Sequence, residues 1–124
     1  MTKYNIEVEA LAKYIDSHSD PDDDRYVFAY TITIHNAGTI AVQLLTRHWL
    51  ITDSHEKVQE VKGEGVVGKT PYLKPGESFQ YTSAAVIETA VGKMEGSYQM
   101  LADDGMEFDA PILAFSLSIP RTLH

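Results

Sequence analysis

Gly63, Gly65 and Gly68 stand in the run Val61-Lys62-Gly63-Glu64-Gly65-Val66-Val67-Gly68-Lys69, a G-x-G-x-x-G spacing. Glycines so spaced let a backbone approach a pyrophosphate at a helix N-terminus. That chemistry needs a strand before, a helix after, and an acidic residue about 20 positions on. Here the chain continues Thr70-Pro71-Tyr72-Leu73-Lys74-Pro75-Gly76, and its two prolines forbid the crossover helix. A dinucleotide-binding fold is therefore excluded. Three readings of the glycines stay open. Their amides form an anion nest, with Lys62, Lys69 and Lys74 nearby; the loop touches another protein; or the glycines bend a long connection between strands.

Other chemistry is sparse. The five histidines, His18, His35, His48, His55 and His124, show neither H-x₃-H nor H-E-x-x-H spacing, so no metal ligands are assigned. Asp20, Asp22, Asp23 and Asp24 offer oxygens to a divalent cation. Their spacing departs from an EF-hand loop and lacks its closing glutamate, so a solvated loop competes with weak cation binding. No G-x-S-x-G elbow is present. No catalytic residue and no cofactor is expected.

The chain of 124 residues carries a formal net charge of −8 and no cysteine. Without cysteine there is neither a disulfide framework nor a thiolate metal site. The acidity disfavours nucleic acid, whose phosphates call for a basic stripe, and an anionic membrane surface. The longest apolar run, Ala110 to Phe115, falls far short of the roughly 20 residues of a membrane helix. The N-terminus is too polar for a signal peptide, so the expected location is cytoplasmic.

The dominant hydrophobic period is 2. Strands are predicted over Tyr4–Ala12, Tyr26–His35, Val42–Asp53, Val58–Lys62, Phe79–Glu88, Gly92–Ala102 and Phe108–Ile119. His35 to Gly38 and Ser54 to Glu56 read as turns. Pro75-Gly76 fits the centre of a type II turn, and Asp104-Gly105 fits a type I′ hairpin. His48 and Trp49 are neighbours in one strand and point to opposite faces. Trp49 is the better core residue, which leaves His48 outside. About seven strands with no helical stripe predict one all-β domain over residues 1–124, a two-sheet antiparallel sandwich.

Four segments together resemble the ApaG family, called CorD in some bacteria. They are Thr46 to Asp53, Glu60 to Gly68, Leu73 to Ser83, and Gly92 to Met100, so the resemblance runs nearly end to end. Ala84-Ala85-Val86-Ile87 departs from it, standing where a Gly-Cys-Pro-Leu-like stretch is expected. The resemblance implies an immunoglobulin or fibronectin type III-like sandwich and a genetic link to cobalt resistance and magnesium efflux. It also implies a pyrophosphate role for the glycines, against which the proline objection stands. Similar domains in eukaryotes sit inside an F-box adaptor of ubiquitin ligases and a polymerase-delta-interacting protein, as protein-interaction modules.

The leading expectation is thus a non-enzymatic module that binds an unidentified protein partner, with His48, Glu64 and Tyr72 as contact residues. The alternative is a small-ligand or ion-binding protein, using the glycine loop for phosphate or the acidic loop for divalent cations. Hydrolysis of a nucleotide polyphosphate is a third reading, since genes of the family often neighbour one for such a hydrolase. An exposed edge strand also allows a homodimer.

Overall fold

A computed structural model of the chain describes residues 2–120. Eight strands follow one another: β1 (Ile6–Tyr14), β2 (Tyr26–Asn36), β3 (Val42–Asp53), β4 (Val58–Glu64), β5 (Tyr72–Leu73), β6 (Ser78–Ile87), β7 (Val91–Ala102) and β8 (Glu107–Ser118). Two 3-10 turns, Asp16–His18 and Pro21–Asp23, lie between β1 and β2. The smaller sheet has the order β1-β2-β6 and the larger β4-β3-β7-β8, with β5 pairing β3 as well. Every pairing is antiparallel. Three strands face five, the fifth being the two-residue β5, and without it the three-over-four arrangement is that of the expected immunoglobulin/fibronectin-like sandwich. The seven expected strands are all present; β5 and the two 3-10 turns are additions, too short to leave a periodic signal.

The alternation explains the layers. Phe28, Tyr30, Ile32 and Ile34 of β2 turn inward and are buried. The outer face of the same sheet carries cross-strand polar pairs, Thr31 with Thr82 at 2.8 Å and His35 with Ser78 at 2.6 Å. In β3 the alternation breaks once. Val42 and Leu44 are buried, and so are Trp49 and Ile51, which a strict period of 2 cannot place on one face. The register against β7 shifts between Leu44 and Thr46, a β-bulge at Leu45. One extra residue there turns Trp49 inward and His48 outward. Trp49 meets Tyr30, Tyr98 and Phe115 edge-on, at centroid distances of 5.5, 6.3 and 6.0 Å; Tyr30, Trp49 and Tyr98 belong to the buried core, and half-buried Phe115 packs against it.

Two hairpins use the same device. Between β7 and β8, the Gly105 amide donates to the Ala102 carbonyl and the Ala102 amide to the Met106 carbonyl, both at 2.9 Å, with Gly105 at φ +86°. That is a three-residue loop, a type I turn closed by a glycine bulge. The type I′ expectation is corrected: Asp104 does not take the positive φ that such a turn requires. Between β3 and β4 the same bond pattern places Glu56 at φ +64°. The Pro75-Gly76 turn is as expected, with Glu77 donating to the Lys74 carbonyl at 2.9 Å and Gly76 at φ +88°.

Asn36 is the polar hub of one end. Fully buried, it donates to the carbonyls of Ile40 and Leu73, each at 2.9 Å, and accepts from the Gly38 amide at 3.0 Å. It thereby ties β2, the β2–β3 connection and β5 together. Removing its amide strands three backbone groups, so Asn36→Ala is expected to cost about 3 kcal/mol, read by chemical denaturation.

The β7–β8 hairpin is clamped from the N-terminus. Asp104 accepts from Lys3 Nζ at 2.7 Å, from the Tyr4 hydroxyl and from the Met106 amide. The Lys3 bond first, then Tyr4 and Met106, hold its carboxyl down to about 2, against an ordinary 3.8. A lowered carboxylate contributes stability that is fully present above the ordinary value and is lost as pH falls through the folded one. A carboxyl-carbon NMR titration should therefore give Asp104 a midpoint near 2, and Asp104→Asn should remove that part of the acid dependence.

Candidate functional site

Beyond the Leu45 bulge, the even-numbered side chains of β3 stand on the outer face of the larger sheet. Register does the rest. Thr46 lies opposite Glu64 of β4 and Gln99 of β7, while His48 lies opposite Lys62 and Ser97. These strands form an open groove of about 530 Å³ lined by Thr46, His48, Lys62, Gly63, Glu64 and Gln99, with Arg47 below. Thr46 donates to Gln99 Oε1 at 2.8 Å, and Gln99 Nε2 to Ser97 Oγ at 2.9 Å. His48 Nε2 lies 2.9 Å from Glu60 Oε2. That hydrogen bond, with the Lys62 charge, holds the Glu60 carboxyl below its usual range.

Arg47 points the other way. Its Nη1 donates to the carbonyls of Glu64 and Gly65, both at 2.9 Å. The guanidinium lies flat on Gly63, where an added Cβ would come within 2.8 Å of Cζ, Nη1 and Nη2. Arg47 also borders an inner cleft of about 270 Å³ with Tyr30, Val66, Gly68, Tyr81 and Ser83. Beside the cleft the hydroxyls of Tyr81 and Tyr98 share a hydrogen bond. Burial pushes both phenols far above their ordinary range, and the Arg47 charge opposes this only weakly.

The three glycines each answer a local demand. Gly63 makes room for Arg47. Gly65 sits at φ +62°, and a Cβ there would meet the Lys69 carbonyl oxygen at 2.3 Å. Gly68, at φ +78° with open space around it, forms with Val67 (φ +44°) the centre of a two-residue hairpin. Val66 and Lys69 exchange both backbone bonds, at 2.8 and 2.9 Å, which marks a type I′ turn. The Gly65 amide donates to the Leu45 carbonyl at 2.8 Å. Gly65, Val66 and Lys69 thus spend their amides on carbonyls of the protein, and Val67 and Gly68 occupy the tip.

The structure brings His48, Glu64 and Gly63 into one groove. It leaves Tyr72 outside the lining, on β5, where its hydroxyl donates to Asp103 at 2.7 Å. Thr46 and Gln99 are groove residues that the sequence reading missed. Alternation with His48 marks Thr46; Gln99 has no local signal, because only the β3–β7 register brings it there. His18, His35 and His55 are scattered, and His124 lies outside the described residues. In the acidic loop, Pro21–Asp23 form a turn and Asp24 takes φ +52°. Among the described residues no three of His, Asp and Glu gather as a metal site, and no helix is long and apolar enough to cross a membrane.

The family model for the ApaG domain matches residues 16–102. Protein ApaG of Azoarcus sp. is 64% identical over 121 residues, covering 98% of this chain and 95% of that one. Protein ApaG of Methylococcus capsulatus is 60% identical over 121 residues, covering 98% and 96%. A crystal structure of an ApaA protein from Bordetella pertussis superposes with a TM-score of 0.94 at 45% identity, over 98% of both chains.

The roles of the glycines separate by mutation. Gly65→Ala combines a left-handed backbone with a collision against backbone, and should cost about 3 kcal/mol in denaturant unfolding. Gly68→Ala faces open space and should cost about 1 kcal/mol. Equal losses would refute the turn assigned here.

Proposed function

The chain belongs to the ApaG domain family, and from that premise we propose that it is a non-catalytic cytoplasmic module holding a protein partner against the outer face of its larger sheet. The observation that carries this reading is the open groove across β4, β3 and β7. It offers both signs of charge, from Lys62 and Glu64, together with the amide of Gln99. Its Thr46, Ser97 and Gln99 side chains are already fixed by hydrogen bonds to one another, so little rotamer freedom remains to be lost on binding. An open groove suits a polypeptide surface; a small molecule favours enclosure on most sides.

The same openness argues against chemistry. The His48–Glu60 pair stands on a solvated sheet face, where neither water exclusion nor preorganised dipoles favour a reacting group. The family's link to cobalt and magnesium is then exerted through the partner, consistent with the spread carboxylates of the acidic loop.

Immobilised protein should capture a partner from native lysate, and His48→Ala combined with Glu64→Lys should lose at least tenfold in affinity for it while keeping its Tm. Equal capture by the variant would sink the assignment of this face. A thermal scan against pyrophosphate, cobalt and magnesium should stay flat. A ligand at 100 times its Kd adds about 2.7 kcal/mol, so a clear shift would favour the small-ligand alternative.

A further inference from the structure

We propose that β4 is a homodimer edge, pairing antiparallel with β4 of a second copy about a two-fold axis at Val61. The first ground is backbone parity. The Gly65 amide donates to the Leu45 carbonyl and the Asp53 amide to the Lys57 carbonyl, one at each end of the β3–β4 ladder. With the register between them unbroken, the odd-numbered residues of β4 turn their amides and carbonyls toward β3. Val58, Glu60, Lys62 and Glu64 turn theirs to the open edge. Arg47 takes the Glu64 carbonyl and ends the open run there.

The second ground is the side chains on that edge. Val58 and Val61, with Val86 of β6 on the same flank, are 55%, 36% and 39% exposed. A Gln59–Val86 contact, Nε2 to carbonyl at 3.1 Å, marks that shared flank. Of the two charged residues beside Val61, Glu60 is tied only to His48, and Lys62 makes no ion pair among the described residues.

The third ground is register. Val61 is the midpoint of Val58–Glu64, so a two-fold there gives the longest overlap. It sets Glu60 opposite Lys62 of the second copy, and Lys62 opposite its Glu60, both as hydrogen-bonded pairs of the right parity. Val61 meets its own copy in a non-hydrogen-bonded pair. Two-folds at Glu60 or Lys62 preserve the parity but set Glu60 against Glu60, or Lys62 against Lys62. Like charges directly opposite disfavour both. A two-fold at Gly63 also sets Lys62 against Glu64, but it shortens the overlap and calls on the Glu64 carbonyl that Arg47 already holds. Overlap and charge together select the register at Val61. Pairing in it joins the two larger sheets into one, with the two outer grooves side by side across the axis.

The test is sedimentation velocity over a concentration series, with circular dichroism confirming that each variant folds. Wild-type protein should dimerise reversibly. Lys62→Glu should weaken the dimer about tenfold or more by setting like charges opposite one another at two symmetric positions, and Glu60→Lys should do the same. The double exchange should restore it, because the pairs re-form with signs swapped. The chain has no cysteine, so Val61→Cys adds a single thiol. In a non-hydrogen-bonded antiparallel pair the Cα atoms lie about 4.5 Å apart, within disulfide reach. That variant should give a covalent dimer under mild oxidation, and Leu113→Cys on the opposite flank should not. A protein monomeric throughout, a dimer indifferent to Lys62→Glu, or cross-linking no greater at Val61 than at Leu113 would overturn the proposal.

Discussion

The bulge at Leu45 is the constraint on which the rest of this molecule depends. Upstream of it, β3 gives Val42 and Leu44 to the core; downstream it gives Trp49 and Ile51. Without the extra residue, either the indole or the two aliphatic side chains would face water. At roughly 25 cal/mol per Å² of apolar surface, exposing a tryptophan costs several kcal/mol. The functional face follows from the same phase change, because turning Trp49 inward is what turns Thr46 and His48 outward and Arg47 toward the loop.

Arg47 is the second consequence. A guanidinium carried toward the sandwich interior needs acceptors, and it finds two carbonyls at the point where β4 gives way to the glycine loop. Gly63 leaves the space in which it lies, and Gly65 lets the chain double back beside Lys69. Each glycine of the spacing thus answers a demand of the fold. The glycine run anchors a hairpin to β3 through the Gly65 amide and the Leu45 carbonyl.

How much of this was legible beforehand varies with the range of the interaction. Period-2 patterning exposes the seven main strands, and the opposite facing of His48 and Trp49 follows from adjacency in one strand. The Pro75-Gly76 turn is readable because proline and glycine restrict the backbone locally. The failures are of two kinds. Asp104-Gly105 reads as a type I′ turn, whereas the pairing of Ala102 with Met106, which no dipeptide reveals, sets the loop at three residues. Gln99, Arg47 and the groove itself depend on registers between distant strands and on a bulge that leaves no composition signal. Tyr72 lies close to the glycine loop in sequence, and β5 sets it beside Asp103, apart from the groove lining.

The ring cluster at the centre has an optical side. Trp49 is the chain's sole tryptophan, almost wholly buried among aromatic rings, and its Nε1–H has no hydrogen-bond partner among the described residues. An indole without a polar neighbour emits at short wavelength, and water reaching it moves the emission to the red. The two sheets meet around that ring, so their parting changes its surroundings. This protein carries its own fluorescent gauge of whether the sandwich is shut.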